Sequence, residues 1–313
     1  MNGQILSYVA LVARDTEATG RFLGEALGLQ ATPVPLGSRE VTFFGVGGTA
    51  IGVFEATDPW LDSPVFPGVH HMALAAPDPV AAAGALPVVL QGTGPGGRRF
   101  AALDPAATAG VRTRFTEPLD IPWHDGPVIG IDHLGIACAD EDDAIRVFVD
   151  TLGCPLESSE TDLELRSVTE SFVSDRYGAV FHSRPPHILG GLRAVFATLA
   201  GCELEFLSDA GPPLPPGERP PADGGSTRGD RSAIARFIDR HGPGLAHIAL
   251  ATGRIDALLA RLAGDGWRMI DHEGRPGGRG SLIGFVHPQN FGGGLLIHFV
   301  EPASEGGYAG KFA

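Results

Sequence analysis

The sequence predicts an α+β protein made of four tandem copies of one βαβββ unit, and three observations lead to this fold class. The apolar segment 131–137, Ile-Asp-His-Leu-Gly-Ile-Ala, returns about a hundred residues later as Gly-Leu-Ala-His-Ile-Ala-Leu at 244–250. Each such strand has a helical stretch and further strands nearby, a pattern that occurs four times. Prolines 118, 122 and 127 separate the chain into two halves of two units each.

The first half begins with the apolar strand 6–13, followed by a helix near 15–26 that stops at Leu27-Gly28-Leu29. Strands are predicted near 41–46 and 50–54. Its second unit begins with a strand at 68–75 and continues with a short helix at 80–85. It closes with strands at 98–103 and 111–116.

The second half starts at Ile131, and its first helix, 141–151, again stops at a Leu-Gly pair. Strands follow at 191–199 and 202–207, with an insertion at 158–189 and a Pro- and Gly-rich linker at 209–229. The last unit comprises helices at 231–241 and 255–266 and strands at 245–251, 267–271, 281–287 and 294–301. The predicted domains are residues 1–118 and 131–302, joined by a linker at 119–130 and followed by a tail at 303–313.

Composition narrows the function classes. The 313 residues are 43% hydrophobic and 19% charged, which is typical of a globular protein of two domains. A net charge of −14 argues against binding to nucleic acid. We find no run of 18 apolar residues and no signal-peptide pattern at the start, so no membrane association and a cytoplasmic location are expected. Three cysteines without CxxC spacing indicate reduced thiols.

His133 and His247 occupy matching points of the repeated strand, where a purely structural strand would carry Val or Ile. A lone histidine in a strand is more often a hydrogen-bonded core residue. Two in register favour a shared ligand, because a buried imidazole needs a partner or loses its charge. The pair therefore indicates a metal site.

These segments, with Phe285-Val-His-Pro-Gln-Asn-Phe-Gly-Gly-Gly-Leu-Leu-Ile-His-Phe-Val-Glu301, resemble the vicinal oxygen chelate superfamily. That superfamily includes glyoxalase I, methylmalonyl-CoA epimerase, extradiol dioxygenases and bleomycin-resistance proteins. Residues 130–302 are most similar to methylmalonyl-CoA epimerase, whereas the first half matches the strand–helix–strands outline. The resemblance implies two domains with cupped, mixed sheets.

The resemblance also implies a ligand set on four strands: His133, Glu205, His247 and His298. Glu203 faces the same side as Glu205, so a register shift would exchange them. The family carries Glu at the fourth position, where this chain has His298. Three imidazoles and one carboxylate suit a divalent transition metal, with Zn²⁺ expected first and Fe, Co, Ni or Mn as alternatives.

In the epimerases, as the resemblance implies, two carboxylates act as bases, and this chain lacks both. His298 replaces the closing-strand Glu, and the strand at 192–196 has Arg193 and Ala194 but no acid. The candidate replacements are Tyr177, His182, His187, Glu203 and His272. Arg275 and Arg279, in a Gly-rich loop, are candidates for binding an anionic substrate group. In the first half the corresponding positions are Tyr8, Gly52, His71 and Arg114, which indicate a domain that has lost its metal. Consecutive strand residues face opposite sides, so His70 and His71 are not expected to act together.

Three functions fit these residues. The leading one is a metal-dependent epimerase or isomerase that chelates vicinal oxygens of a small carbonyl substrate (a keto-sugar, cyclitol or acyl-CoA) and stabilises an enolate or enediolate. The second is a ferrous extradiol-type dioxygenase. The third is a non-enzymatic protein that binds a small molecule such as an antibiotic. The expected partners are a small-molecule substrate and, as an option, a second copy of the chain.

Overall fold

The structure is a computed structural model that describes residues 4–62, 65–212 and 232–303. Most of the predicted linker at 209–229, and nearly all of the predicted tail at 303–313, lie outside these residues. Two curled, mixed sheets of eight strands each make up the molecule, one from each half of the chain. This confirms the predicted α+β fold with tandem modules. Among the described residues, no helix has both the length and the apolar character needed to cross a membrane.

The N-terminal sheet has the strand order β2-β3-β4-β1-β5-β8-β7-β6. Its strands are β1 (Leu6–Ala13), β2 (Gln30–Leu36), β3 (Arg39–Val46), β4 (Thr49–Glu55), β5 (Gly68–Ala75), β6 (Val88–Thr93), β7 (Arg99–Leu103) and β8 (Thr113–Thr116). The sequence prediction missed β2, whose Pro33 and Pro35 argue against a strand. Both prolines are tolerated because β2 is an edge strand.

The C-terminal sheet repeats this arrangement in the order β10-β13-β14-β9-β15-β18-β17-β16. Its strands are β9 (Gly130–Ala137), β10 (Leu156–Arg166), β13 (His187–Leu199), β14 (Cys202–Asp209), β15 (Gly244–Ala251), β16 (Arg275–Pro276), β17 (Leu282–Phe285) and β18 (Ile297–Glu301). A separate two-stranded sheet pairs β11 (Thr169–Ser174) with β12 (Gly178–Ser183). The predicted insertion at 158–189 is thus an antiparallel extension rather than a loop.

The helices are short: α1 (Thr16–Arg21), α2 (Pro79–Ala82), α3 (Glu141–Ile145), α4 (Ala233–His241) and α5 (Ile255–Gly264). In the first and third units a π-helical turn continues the helix, to Ala26 and to Thr151. Each of these two turns ends at the Leu-Gly pair seen in the sequence, where glycine takes the left-handed conformation, with φ of 73° at both Gly28 and Gly153.

The two halves pack against each other through the helix-bearing sides of their sheets, which share one hydrophobic core. Phe22 of the first half lies 4.9 Å from Trp267 and 5.1 Å from Phe291, measured between ring centroids. The other, concave face of each sheet takes no part in this shared core, and the two concave faces carry different residues.

Candidate metal centre

The four residues that the sequence indicated as metal ligands lie on the concave face of the C-terminal sheet. On β9, Leu134 and Ile136 point into the shared core, so His133 and Gly135, which alternate with them, face the concave side. Alternation on the neighbouring strands turns Glu205, His247 and His298 to the same side.

Three of these side chains meet in a nearly equilateral triangle of ligand atoms. His133 Nε2 lies 3.3 Å from His247 Nε2 and 3.3 Å from Glu205 Oε2, and His247 Nε2 lies 3.4 Å from the same oxygen. Two ligand atoms that each lie about 2.05 Å from one ion at the tetrahedral angle are about 3.3 Å apart. The triangle therefore has the dimensions of three ligands of a single transition-metal ion.

His298 completes the cluster. Its ring centroid lies 5.0 Å from that of His133 and 4.8 Å from that of His247. One ligand atom from each of the three histidines falls within 4.8 Å of the others, and all three residues are buried. His298 Nδ1 is buried and has no hydrogen-bond partner within the described protein. Neutral imidazole nitrogens of this kind are what a transition metal binds, so the donor set fits such an ion.

The ionisable side chains of the cluster shift one another's pKa values. Burial disfavours a charged His133, but Glu205 and Asp132 override it and raise the pKa of His133 to about 9. Burial also opposes ionisation of Glu205, yet His133 and His247 hold the pKa of that carboxyl well below its usual range. Burial, together with the two neighbouring histidines, lowers the pKa of His298 far below its usual value.

Gly135 makes room for His247. The two residues are direct cross-strand partners, and the imidazole lies over the glycine. A methyl carbon on Gly135 would lie closer than 2.5 Å to three atoms of that ring. The sequence offered no sign of this role, because it follows from the pairing of β9 with β15.

A carboxylate fixes the orientation of His133. Its Nδ1 lies 2.7 Å from Asp132 Oδ1, which directs Nε2 into the cluster. The two neighbours in sequence can meet because β9 contains an irregularity in its pairing with β15 at this point. Asp132 was visible in the sequence as the acid before the histidine, but its role was missed.

Apolar side chains surround the cluster. Phe285 lies against His298 with ring centroids 4.5 Å apart and ring planes tilted by 32°, and Phe196 lies edge-on to His133 at 6.4 Å. Helix α4 lies on the same concave face, where Ile234 and Phe237 pack beside Phe196. This apolar surrounding excludes water and strengthens electrostatic interactions inside the site.

Three predicted bases lie far from the cluster. His187 is nine residues before Phe196, whose cross-strand partner is Glu205, so about 30 Å of extended strand separates them. His182 and Tyr177 lie still farther along the extension, both exposed, and Tyr177 is 76% exposed. The residues of this insertion form paired strands that extend along β10 and β13. His272 is also exposed.

The two candidate substrate-binding arginines turn towards protein carboxylates. Arg275 lies 3.5 Å from Asp271 and above the ring of Phe285 at 5.2 Å. Arg279 contacts Asp132 and Glu203, each at 3.1 Å. Glu203 shares the concave face with Glu205, as expected, but this contact engages its carboxylate.

The N-terminal sheet holds different residues at the same positions. Pairing aligns Ala10 with His71 and with Gly52, just as it aligns Gly135 with His247 and with Glu205. Ala73 pairs with Arg114 as Ala249 pairs with His298. Tyr8, Gly52, His71 and Arg114 are thus the counterparts of the ligands, as the sequence predicted.

A buried cation takes the place of a metal in the N-terminal sheet. Arg114 forms an ion pair with Asp62, and its guanidinium lies 4.2 Å above the ring of Trp60. Because this charge repels a second cation, these residues do not suit a metal ion.

The expectation that the side chains of His70 and His71 face opposite sides is wrong. Their Nδ1 atoms lie 2.8 Å apart, because the pairing of β5 with β1 is irregular at this point and the two side chains turn towards each other. The same irregularity joins Asp132 to His133 in the other sheet.

Comparisons with known proteins agree with this architecture. A family model described as the Glyoxalase/Bleomycin resistance protein/Dioxygenase superfamily matches residues 132–285. No curated protein matches the chain. Among solved structures, a mutant of 4-hydroxymandelate synthase from Streptomyces coelicolor covers 98% of this chain and 95% of its own, with a TM-score of 0.62 and 16% identity. This likeness confirms the two-domain fold.

Two other solved structures match roughly one half of the chain. Methylmalonyl-CoA epimerase from Mycobacterium tuberculosis is 29% identical, covers 57% of this chain and 91% of its own, and has a TM-score of 0.39. A hypothetical protein from Bacillus halodurans is 23% identical, covers 56% and 96%, and has a TM-score of 0.38.

Proposed function

We propose that this chain, whose residues 132–285 match the family model of the Glyoxalase/Bleomycin resistance protein/Dioxygenase superfamily, is a metal-dependent enzyme acting on a small carbonyl substrate. His133, Glu205, His247 and His298 hold the ion, with Zn²⁺ as the first expectation. The observation that carries the proposal is the triangle of ligand atoms with edges of 3.3–3.4 Å.

The proposed reaction is an epimerisation or isomerisation next to a carbonyl group. When bound, the metal supplies Lewis acidity to two vicinal oxygens of a keto-sugar, cyclitol or acyl-CoA substrate. The apolar walls formed by Phe196, Phe285 and α4 exclude water from the site. Glu205 supplies the one carboxylate of this cluster.

A second candidate is an oxygen-dependent reaction of the dioxygenase type. Two observations favour it: three of the five predicted bases lie on the extension far from the cluster, and three imidazoles with one carboxylate also suit Fe²⁺. A non-enzymatic protein that binds a small molecule without a metal ion would gain nothing from four ligand-type side chains that converge on one point.

The first test is metal analysis of protein purified without added metal and after reconstitution with Zn²⁺, Co²⁺, Ni²⁺, Mn²⁺ or Fe²⁺. We expect about one ion per chain, and its loss in Glu205→Ala and His298→Ala. His124→Ala is the matched control, because His124 is exposed and lies outside the strands that carry the four proposed ligands. Absence of metal from the reconstituted parent would refute the proposal.

The second test separates the two reactions. Loaded protein is incubated with candidate substrates in D₂O, and proton NMR follows exchange at the carbon next to the carbonyl, while an electrode records oxygen. Exchange without oxygen uptake supports the isomerase. Oxygen uptake that requires Fe²⁺ supports the dioxygenase instead.

A further inference from the structure

Arg279 has an unusual backbone conformation. It lies in the loop between β16 and β17 with φ of 57° and ψ of 28°, the left-handed region that residues with a Cβ rarely adopt. The equivalent loop of the N-terminal sheet, between β6 and β7, has Gly96 in the same conformation, with φ of 65° and ψ of 19°. The C-terminal domain therefore keeps an arginine where its sister domain has the residue that this turn favours.

The side chain of Arg279 is directed inwards. It is 10% exposed, and its two terminal nitrogens donate to Asp132 Oδ1 and Glu203 Oε2, each at 3.1 Å. The guanidinium lies 4.0 Å above the ring of Phe196. The backbone N–H of Arg279 donates to Glu160 Oε2 at 2.9 Å, which holds the loop against β10.

These contacts connect the arginine to a metal ligand. Asp132 Oδ1 accepts from Arg279 and from His133 Nδ1, so one carboxylate oxygen joins the guanidinium to the imidazole. The other nitrogen of His133 is a corner of the ligand triangle. The fork of an arginine can hold two carboxylates at once, which a lysine does not reproduce.

We infer that Arg279 is a positioning residue of the metal centre: it holds Asp132 and Glu203 in place, and through Asp132 it orients His133 Nε2 towards the ion. This inference rests on the proposed metal-dependent function. It replaces a substrate contact as the role of Arg279 and explains why a strained conformation is kept at this position.

The test compares Arg279→Gly, Arg279→Gln and Arg279→Lys. Glycine suits the left-handed turn, so Arg279→Gly removes the guanidinium without adding backbone strain. Arg98→Gly is the matched control, because Arg98 is exposed and lies in the equivalent loop of the N-terminal domain. Co²⁺ titration gives the dissociation constant and the visible spectrum of the bound ion, and circular dichroism checks the fold.

We expect Arg279→Gly and Arg279→Gln to fold and to bind Co²⁺ about 10- to 100-fold more weakly, with a changed visible spectrum. Arg279→Lys should recover part of the affinity, and Arg98→Gly should match the parent. Affinity within twofold of the parent and an unchanged spectrum in Arg279→Gly would overturn the inference.

A second measurement does not depend on metal binding. In metal-free protein the Nδ1–H proton of His133, bonded to Asp132 and shielded from water, should give a downfield proton resonance that is lost in Arg279→Gly. If the parent binds no metal, the proposed function fails, and this resonance alone decides the inference. If the parent binds metal but the resonance and the affinity survive in Arg279→Gly, the inference fails and the function stands.

Discussion

Replacing Gly135 with alanine should destroy the metal centre while leaving the fold intact. Gly135 is the cross-strand partner of His247, and an added methyl carbon would come within 2.5 Å of Cε1, Nε2 and Nδ1 of that imidazole. Ordinary contact begins near 3.4 Å, so the ring has to move by about 1 Å or more. Metal–ligand distances tolerate roughly 0.2 Å, which means that His247 is lost as a ligand.

The expected effect of Gly135→Ala is at least about a 100-fold rise in the dissociation constant for Zn²⁺ or Co²⁺, since even indirect disturbance of a ligand costs 10- to 100-fold. The N-terminal sheet supports this argument, because it has Ala10 at the corresponding register and its His71 turns to His70 instead. Isothermal titration calorimetry measures the affinity, and thermal unfolding checks the fold.

Gly253→Ala is the matched control. Gly253 lies in the same domain, has no neighbouring atom within 4 Å of the added carbon and does not have a positive φ. We expect this variant to bind metal like the parent. An unchanged affinity in Gly135→Ala would show that His247 is not held against Gly135 and would refute the geometry of the cluster.

Three further predictions concern stability and the thiols. Phe22→Ala removes a fully buried ring that contacts Trp267 across the domain boundary, so it should lower the free energy of unfolding by about 3–5 kcal/mol, and a loss below about 1 kcal/mol in urea titration would contradict the shared core. Burial, helped by nearby arginines, lowers the pKa of His70 to about 4. As the pH falls below about 6.5, His70 therefore binds a proton in the unfolded chain but not in the folded one. Stability of the metal-free protein should therefore fall from pH 6.5 to 4 by on the order of 3 kcal/mol, and melting curves of His70→Gln should lack this part of the slope. Burial raises the pKa of Cys138 to about 12 and that of Cys154 to about 11, so Ellman's reagent should label neither thiol until the protein unfolds, and rapid labelling of folded protein would contradict their burial.

Two of the four candidate ligands were accessible from the repeat in the sequence, and the other two, Glu205 and His298, from the family resemblance. His133 and His247 stand in apolar strands whose period of two identifies the facing side, and the duplicated unit shows which positions correspond. The pairing registers of the two sheets confirm these correspondences, including the replacement of the ligands by Tyr8, Gly52 and Arg114 in the first half. A repeat supplies this information because units with the same hydrophobic pattern fold into sheets with the same strand order.

The candidate bases and the supporting residues were not accessible in the same way. His182 and His187 look like pocket residues in a polar insertion, but strand pairing between β10 and β13 carries His187 about 30 Å from the cluster, and His182 lies on the separate β11–β12 hairpin. No local pattern shows where an antiparallel extension points. The pairing of Asp132 with His133 was missed because the strict alternation of a regular strand does not hold at an irregular position.

The sequence by itself determined the four-unit architecture, the division into two halves and the strands that carry His133, Glu205, His247 and His298, because all of these follow from local hydrophobic period and repetition. Tertiary structure decided the rest. The 3.3–3.4 Å triangle, the glycine beneath His247 and the inward course of Arg279 depend on distances between strands that are far apart in the chain. Those distances come from sheet register and twist, which no single segment encodes.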